Sequence, residues 1–263
     1  EALTRAAPAV NVAALVGHSA LRLATMPTVD RKATGAEIEA MRILADEAMA
    51  NGAAGFSTGL FYPTNAAADA EEVAAVASAF SARGGVYATH MRDEFNHVLD
   101  SIEESLATAR AARIPLVISH HKCAGPANSG RTRETLPRIE AAAKDQPVNL
   151  DVYPYAAGST NLRLDLVTGD YPIRIAWSKP YPEMAGRALS DVATAWKCDL
   201  KEAARRLDPA GQRLLHLRAE RDGDVPRPRR GARSVPSDGP RAPEASGCAQ
   251  EAEMLDRFKV PEE

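Results

Sequence analysis

Gly85-Val86-Tyr87-Ala88-Thr89-His90 and Leu116-Val117-Ile118-Ser119-His120 are two short runs, nearly continuous in apolar or small residues, and each ends in histidine. A strand covered on both faces reads this way, because neither face needs polar side chains for water. Between them, over about 96–112, Ile102 and Leu106 sit four residues apart, the spacing of one helix face. Strand, helix and strand in that order make the repeating unit of a parallel sheet.

The same alternation extends both ways. Runs at 11–16 and 54–60 precede the pair and one at 148–155 follows it, so five strands are predicted at roughly one βα unit each. Thr34 with Glu37 three residues on is a capping box, and Ile38, Met41, Ile43, Leu44 and Met49 supply an apolar stripe ending at Asn51-Gly52. Asp69, Glu71 and Glu72 open a further helix whose buried face is Val73, Val76, Ala77 and Phe80, and Gly84-Gly85 stops it. Another is predicted over 132–143, with Glu134 in its first turn. A weaker apolar run at 173–177 reads as a continuation of the sheet. The fold class is α/β, part of a (β/α)8 barrel over residues 1–211.

Composition narrows the function. The 263 residues carry 32 Lys and Arg against 35 Asp and Glu, a net charge of −3, with no clustered basic excess and no apolar stretch of membrane-spanning length. Neither nucleic acid nor membrane is an expected partner; a small molecule is. Three cysteines, widely spaced, indicate no disulfide framework, and a reducing cytoplasm fits. The chain opens on Glu1 without a leader pattern and reads as a piece of a longer protein.

From 212 to 263 the character changes. Between Glu220 and Gln250 the only Val, Ile, Leu or Phe residues are Val225 and Val235, among many Arg, Pro, Gly, Ser and Ala. Such a stretch cannot bury a core. It fits either a natural low-order tail or out-of-frame translation of a GC-rich gene.

Active sites of parallel barrels lie at the C-terminal ends of the strands, which is where both histidines fall. Two imidazoles at neighbouring strand mouths suit a zinc ion, whereas either alone would suit a loop hydrogen bond. Alternation along a strand lets only one of His120 and His121 point inward, and counting favours His120. Lys122 beside them is placed to meet an anion or is simply solvated. The cluster Asp151-Val152-Tyr153-Pro154-Tyr155 with Gly158-Ser159-Thr160 brings hydroxyls to the fifth strand end, for a ligand or as a bridge between core and rim. Ser57-Thr58-Gly59 is a weaker candidate, and His18, His97 and His216 read as structural or solvated. No phosphate loop, dinucleotide glycine pattern, nucleophile elbow or HExxH is present.

Taken together, Gly17-His18-Ser19-Ala20-Leu21-Arg22, Gly55-Phe56-Ser57-Thr58-Gly59-Leu60, Tyr87-Ala88-Thr89-His90-Met91-Arg92-Asp93-Glu94, Ser119-His120-His121-Lys122, Asp151-Val152-Tyr153-Pro154-Tyr155 and Gly158-Ser159-Thr160 resemble the D-aminoacylases, the N-acyl-D-amino-acid deacylases of the amidohydrolase superfamily. The resemblance spans about 8–211. It implies a zinc-dependent barrel hydrolase of linear amides, with His90 and His120 as metal ligands and Lys122, Tyr153 and Ser159 binding the substrate carboxylate. It implies a catalytic aspartate in a Ser-Asp-Gly motif, present here as Ser237-Asp238-Gly239. The family's cysteine ligand and its His-x-His pair belong earlier than residue 1, so an N-terminally truncated barrel of low activity is expected. An amidohydrolase acting on a cyclic amide and an inactive product are the alternatives.

Overall fold

The structure, a computed structural model, describes Arg5 and residues 9–153, 157–208 and 214–218. These fall into two compact units, one holding the chain up to Lys122 with Arg133–Tyr153, the other Cys123–Thr132 and the described chain from 157 onward.

The first unit is a five-stranded parallel sheet, β1 (Leu15–Gly17), β2 (Gly55–Gly59), β3 (Val86–His90), β4 (Leu116–Ile118) and β5 (Val148–Leu150), in simple sequential order. Between strands run α1 (His18–Thr25), α2 (Gly35–Ala50), α3 (Pro63–Ala66), α4 (Ala70–Ser81), α5 (Val98–Ala112) and α6 (Thr132–Ala142). Gly59 pairs with His90, Thr89 with Ile118 and Ile118 with Leu150, so the C-terminal ends of β2 to β5 lie side by side.

Side chains alternate across β3. Tyr87 and Thr89 face a core in which Phe56 stacks on Tyr87 (5.6 Å between centroids) and on Phe80 of α4 (5.0 Å). Val86, Ala88 and His90 take the opposite face. Thr58 belongs with the core-facing set: its hydroxyl bonds Tyr87 Oη at 3.0 Å and Thr89 Oγ1 at 2.8 Å, which leaves Ser57 on the His90 face.

The predicted helices form, with one correction. Met41 and Ala45 of α2 are buried, but Ile43 is 62% exposed, because two residues beyond Met41 turn it some 200° around the axis. The capping box is present, Thr34 Oγ1 accepting from Glu37 N–H and the Glu37 carboxylate accepting from Thr34 N–H. Thr34→Ala is expected to cost about 1 kcal/mol, read as a lower urea midpoint at unchanged slope.

A buried polar knot ties the α1 end of the sheet. The Arg22 guanidinium donates to Thr64 O (3.0 Å), Val29 O (3.0 Å), Arg31 O (2.6 Å) and the Glu72 carboxylate. Glu72 also accepts from Ala33 N–H at 2.9 Å and lies 3.1 Å from His18 Nε2. His18, read from the sequence as structural or solvated, is fully buried with its ring edge on Phe56.

Strand lengths differ from the sequence expectation. β1 begins at Leu15, with Val10 and Val12 exposed, and β4 stops at Ile118 instead of reaching His120. The run at 173–177 does form a strand, but outside the parallel sheet. In the second unit β6 (Ala157–Asn161), β7 (Ile173–Ile175) and β8 (Leu214–Arg218) make an antiparallel sheet in the order β6-β8-β7. Ile173 and Ile175 pack there with Leu189 and Val192 of α7 (Leu189–Trp196) and Ala203 and Leu207 of α8 (Leu200–Leu207). β8 lies within the segment 212–263, and the remainder of that tail lies outside the described residues.

Candidate metal centre

His90 is the last residue of β3, and its place follows from strand alternation alone. His120 gets there differently. Its backbone is left-handed (φ 42°), an uncommon conformation for a residue with a side chain, and Asp151 beyond β5 holds it: Asp151 Oδ1 accepts from His120 N–H at 2.5 Å and Asp151 O from His121 N–H at 2.8 Å. The turn sends successive imidazoles apart. His120 Nε2 comes to 3.0 Å from His90 Nδ1, while His121 is buried with Nε2 2.8 Å from Thr135 Oγ1 of α6.

Glu94, four residues beyond His90, completes the cluster and was quoted in the sequence motif without a role. Its side chain is 6% exposed. Oε2 accepts from Lys122 Nζ at 2.6 Å and lies 3.8 Å from His90 Nε2, and Oε1 lies 3.0 Å from His120 Nδ1. The Lys122 ammonium also contacts His120 Nδ1 and His120 O, each at 2.9 Å, and stands 5.5 Å above the Tyr153 ring. Phe61 and Tyr62 flank His90 at 5.3 and 5.0 Å between ring centroids. The spacing His-x-x-x-Glu directly after a strand was the available signal for Glu94; the loop geometry that uses it is not.

Electrostatics follow from burial. Desolvation is the largest influence on His90 and pushes it down to about 4, Lys122 and His120 helping and Glu94 opposing. It likewise takes His121 down to about 4. For Glu94 burial works upward, but His120, Lys122 and His90 outweigh it and hold the carboxylate at about 2. Burial raises the Tyr153 phenol above its ordinary range, so it is a neutral donor at pH 7. At neutral pH the centre therefore sets a Glu94 carboxylate beside a neutral His90 imidazole.

The donor set fits a cation. One ligand atom from each of His90, Glu94 and His120 lies within 4.8 Å of the others, and His90 Nδ1 and His120 Nε2 face each other at 3.0 Å. Imidazole nitrogen and carboxylate oxygen are zinc's preferred donors alongside thiolate. Of the other residues singled out from sequence, Tyr153 lies 6.3 Å from the His120 ring, Ser159 lies on β6 in the second unit with His216 as its register partner, and Asp238 lies outside the described residues.

The D-aminoacylase of Alcaligenes xylosoxydans xylosoxydans is 51% identical to this chain over 211 residues, which are 80% of the chain and 44% of that protein. The chain belongs to the D-aminoacylase family. No family model matches this D-aminoacylase-family chain. A crystal structure of D-aminoacylase, described as defining a novel subset of amidohydrolases, superposes with a TM-score of 0.76 at 47% identity, over 81% of this chain and 45% of that one. The N-acyl-D-glutamate deacylase of Bordetella bronchiseptica, solved with zinc and a phosphonate inhibitor, gives 0.78 at 42%, over 82% and 45%. The D-aminoacylase-family chain thus spans less than half the length of the relatives it matches, and its parallel sheet is part of their amidohydrolase barrel. No described helix is long and apolar enough to cross a membrane.

Proposed function

We propose that this chain carries part of the active site of a zinc-dependent, cytoplasmic hydrolase that cleaves the amide bond of small N-acyl-D-amino acids, releasing a carboxylate and the free D-amino acid. The observation that supports this best is the convergence of His90, His120, Glu94, Lys122 and Tyr153 at the ends of neighbouring parallel strands. His90 and His120 are the residues that would hold zinc. When bound, zinc supplies a polarised carbonyl and a water acidic enough to react near neutral pH.

The residues of the chain divide the remaining work. The Lys122 ammonium pairs with the substrate α-carboxylate, aided by the Tyr153 hydroxyl, a charge-assisted arrangement that fixes the amide relative to the two histidines. Asp238 is assigned as the base that accepts a proton and returns it to the leaving amine. Phe61 and Tyr62 wall the His90 side. Lys122 is engaged as an ammonium by Glu94, which suits a carboxylate-binding cation better than the carboxylated lysine of a cyclic-amide hydrolase.

The test offers the zinc-supplemented chain N-acetyl-D-methionine, N-acetyl-L-methionine and a cyclic imide, following binding by calorimetry and amine release. Preference for the D isomer is expected, and Lys122→Met should weaken its binding by about 1.5–3 kcal/mol, the worth of a hydrogen bond to a charged group. Preference for the imide, or an unchanged affinity in Lys122→Met, would overturn the assignment.

A further inference from the structure

We infer that Glu94 is a positioning residue of the centre, holding the Lys122 ammonium with one carboxylate oxygen and setting the His120 ring with the other. The inference rests on the reading of His90 and His120 as zinc ligands.

The two imidazoles present His90 Nδ1 and His120 Nε2 to each other at 3.0 Å, so those are the atoms that would hold a shared cation. Glu94 lies on the far side of both rings: its oxygens approach His90 Nε2 (3.8 Å) and His120 Nδ1 (3.0 Å), the nitrogens turned away from that meeting point. An imidazole that gives its Nε2 lone pair to a metal carries its proton on Nδ1, and metal-bound histidines commonly donate that proton to a carboxylate or carbonyl. Oε1, buried and without an aligned partner, stands where that proton must point. Oε2 is already committed to Lys122 at 2.6 Å, and with the proton on Nδ1 the Lys122 ammonium donates instead to His120 O at 2.9 Å. A single carboxylate therefore fixes the ring that faces the metal and the cation that faces the substrate. At 6% exposure it has little freedom to do otherwise.

Zinc affinity of the whole chain, measured by competition with a chromophoric chelator at constant pH, and the ring 15N resonances of His120, assigned by their loss in His120→Asn, test this in Glu94→Met and Glu94→Gln. Methionine matches the size of glutamate and accepts no proton. It is expected to weaken zinc binding roughly 10–100-fold, the usual cost of losing a partner behind a ligand. Glutamine keeps an oxygen for His120 Nδ1–H, and its affinity should stay within about tenfold of the parent, the partial rescue expected of a positioning role. The zinc-loaded parent should show His120 protonated on Nδ1, with that signal lost or shifted in Glu94→Met.

Unchanged affinity and unchanged His120 resonances in Glu94→Met would overturn the inference. So would equal losses in the Gln and Met variants with His120 undisturbed, which would make Glu94 itself a ligand. If the parent chain bound no zinc, the metal reading would fail by itself. Glu94 would then be judged on the metal-free spectra, where Glu94→Met must still move the His120 ring signals because Lys122 is released, and their constancy would refute the role.

Discussion

Arg22→Met is expected to destabilise the parallel-sheet unit by about 3–5 kcal/mol, a large part of the 5–15 kcal/mol that holds an ordinary domain together. Arg22 and Glu72 are 0% and 2% exposed, so removing the cation strands a carboxylate away from water. The guanidinium also fastens the carbonyls of Val29 and Arg31 in the loop between α1 and α2, and that of Thr64 in α3. Urea denaturation checks the figure. The double variant Arg22→Met with Glu72→Leu should recover part of the loss, because the orphaned charge goes with its partner. Full additivity of the two losses would contradict a paired origin.

The same knot gives the unit a pH dependence of definite sign. Burial works upward on the Glu72 carboxyl, but His18, Arg22 and the Ala33 N–H overcome it and leave it below the ordinary carboxylate range. Its stabilisation is complete above the unfolded value near 4.5 and is lost as pH falls through the lower folded value. Burial, chiefly, also depresses His18, so protonation favours the unfolded chain from about pH 6.5 downward. Both groups weaken the fold on the acid side.

What was legible in the sequence follows the range over which each signal acts. The α2 start was readable because a capping box closes within four residues, and β3 because a nearly continuous apolar run needs no distant partner to be seen. His90 came with β3. His120 was chosen by counting along a strand that in fact ends at Ile118, and what turns it is Asp151, one βα unit further on, which no local pattern announces. Glu94 stood in a quoted motif, yet its role depends on Lys122 reaching across from the next strand end. The run at 173–177 was apolar enough for a strand, but its partner β8 follows after two helices, and an apolar run carries no mark of parallel or antiparallel pairing.

Two adjacent histidines offer the sharpest contrast between site and scaffold. His120→Asn is expected to abolish measurable zinc binding, a loss beyond the roughly 100-fold that a partner behind a ligand commands, while leaving the urea midpoint nearly unchanged. Asparagine is the right substitute because it visits the left-handed region at little cost, so the φ of 42° and the Asp151 anchor are kept while the imidazole goes. Alanine would confound ligand loss with strain. His121→Ala should do the reverse: a buried ring and its 2.8 Å bond to Thr135 disappear from beneath α6, costing about 2 kcal/mol, while His90 Nδ1 and His120 Nε2 still face each other. Calorimetric zinc titration and urea unfolding on both variants separate the outcomes. Retained zinc binding in His120→Asn, or its loss in a folded His121→Ala, would place the metal against the wrong member of the pair, since it is His120 that faces His90 while His121 faces Thr135.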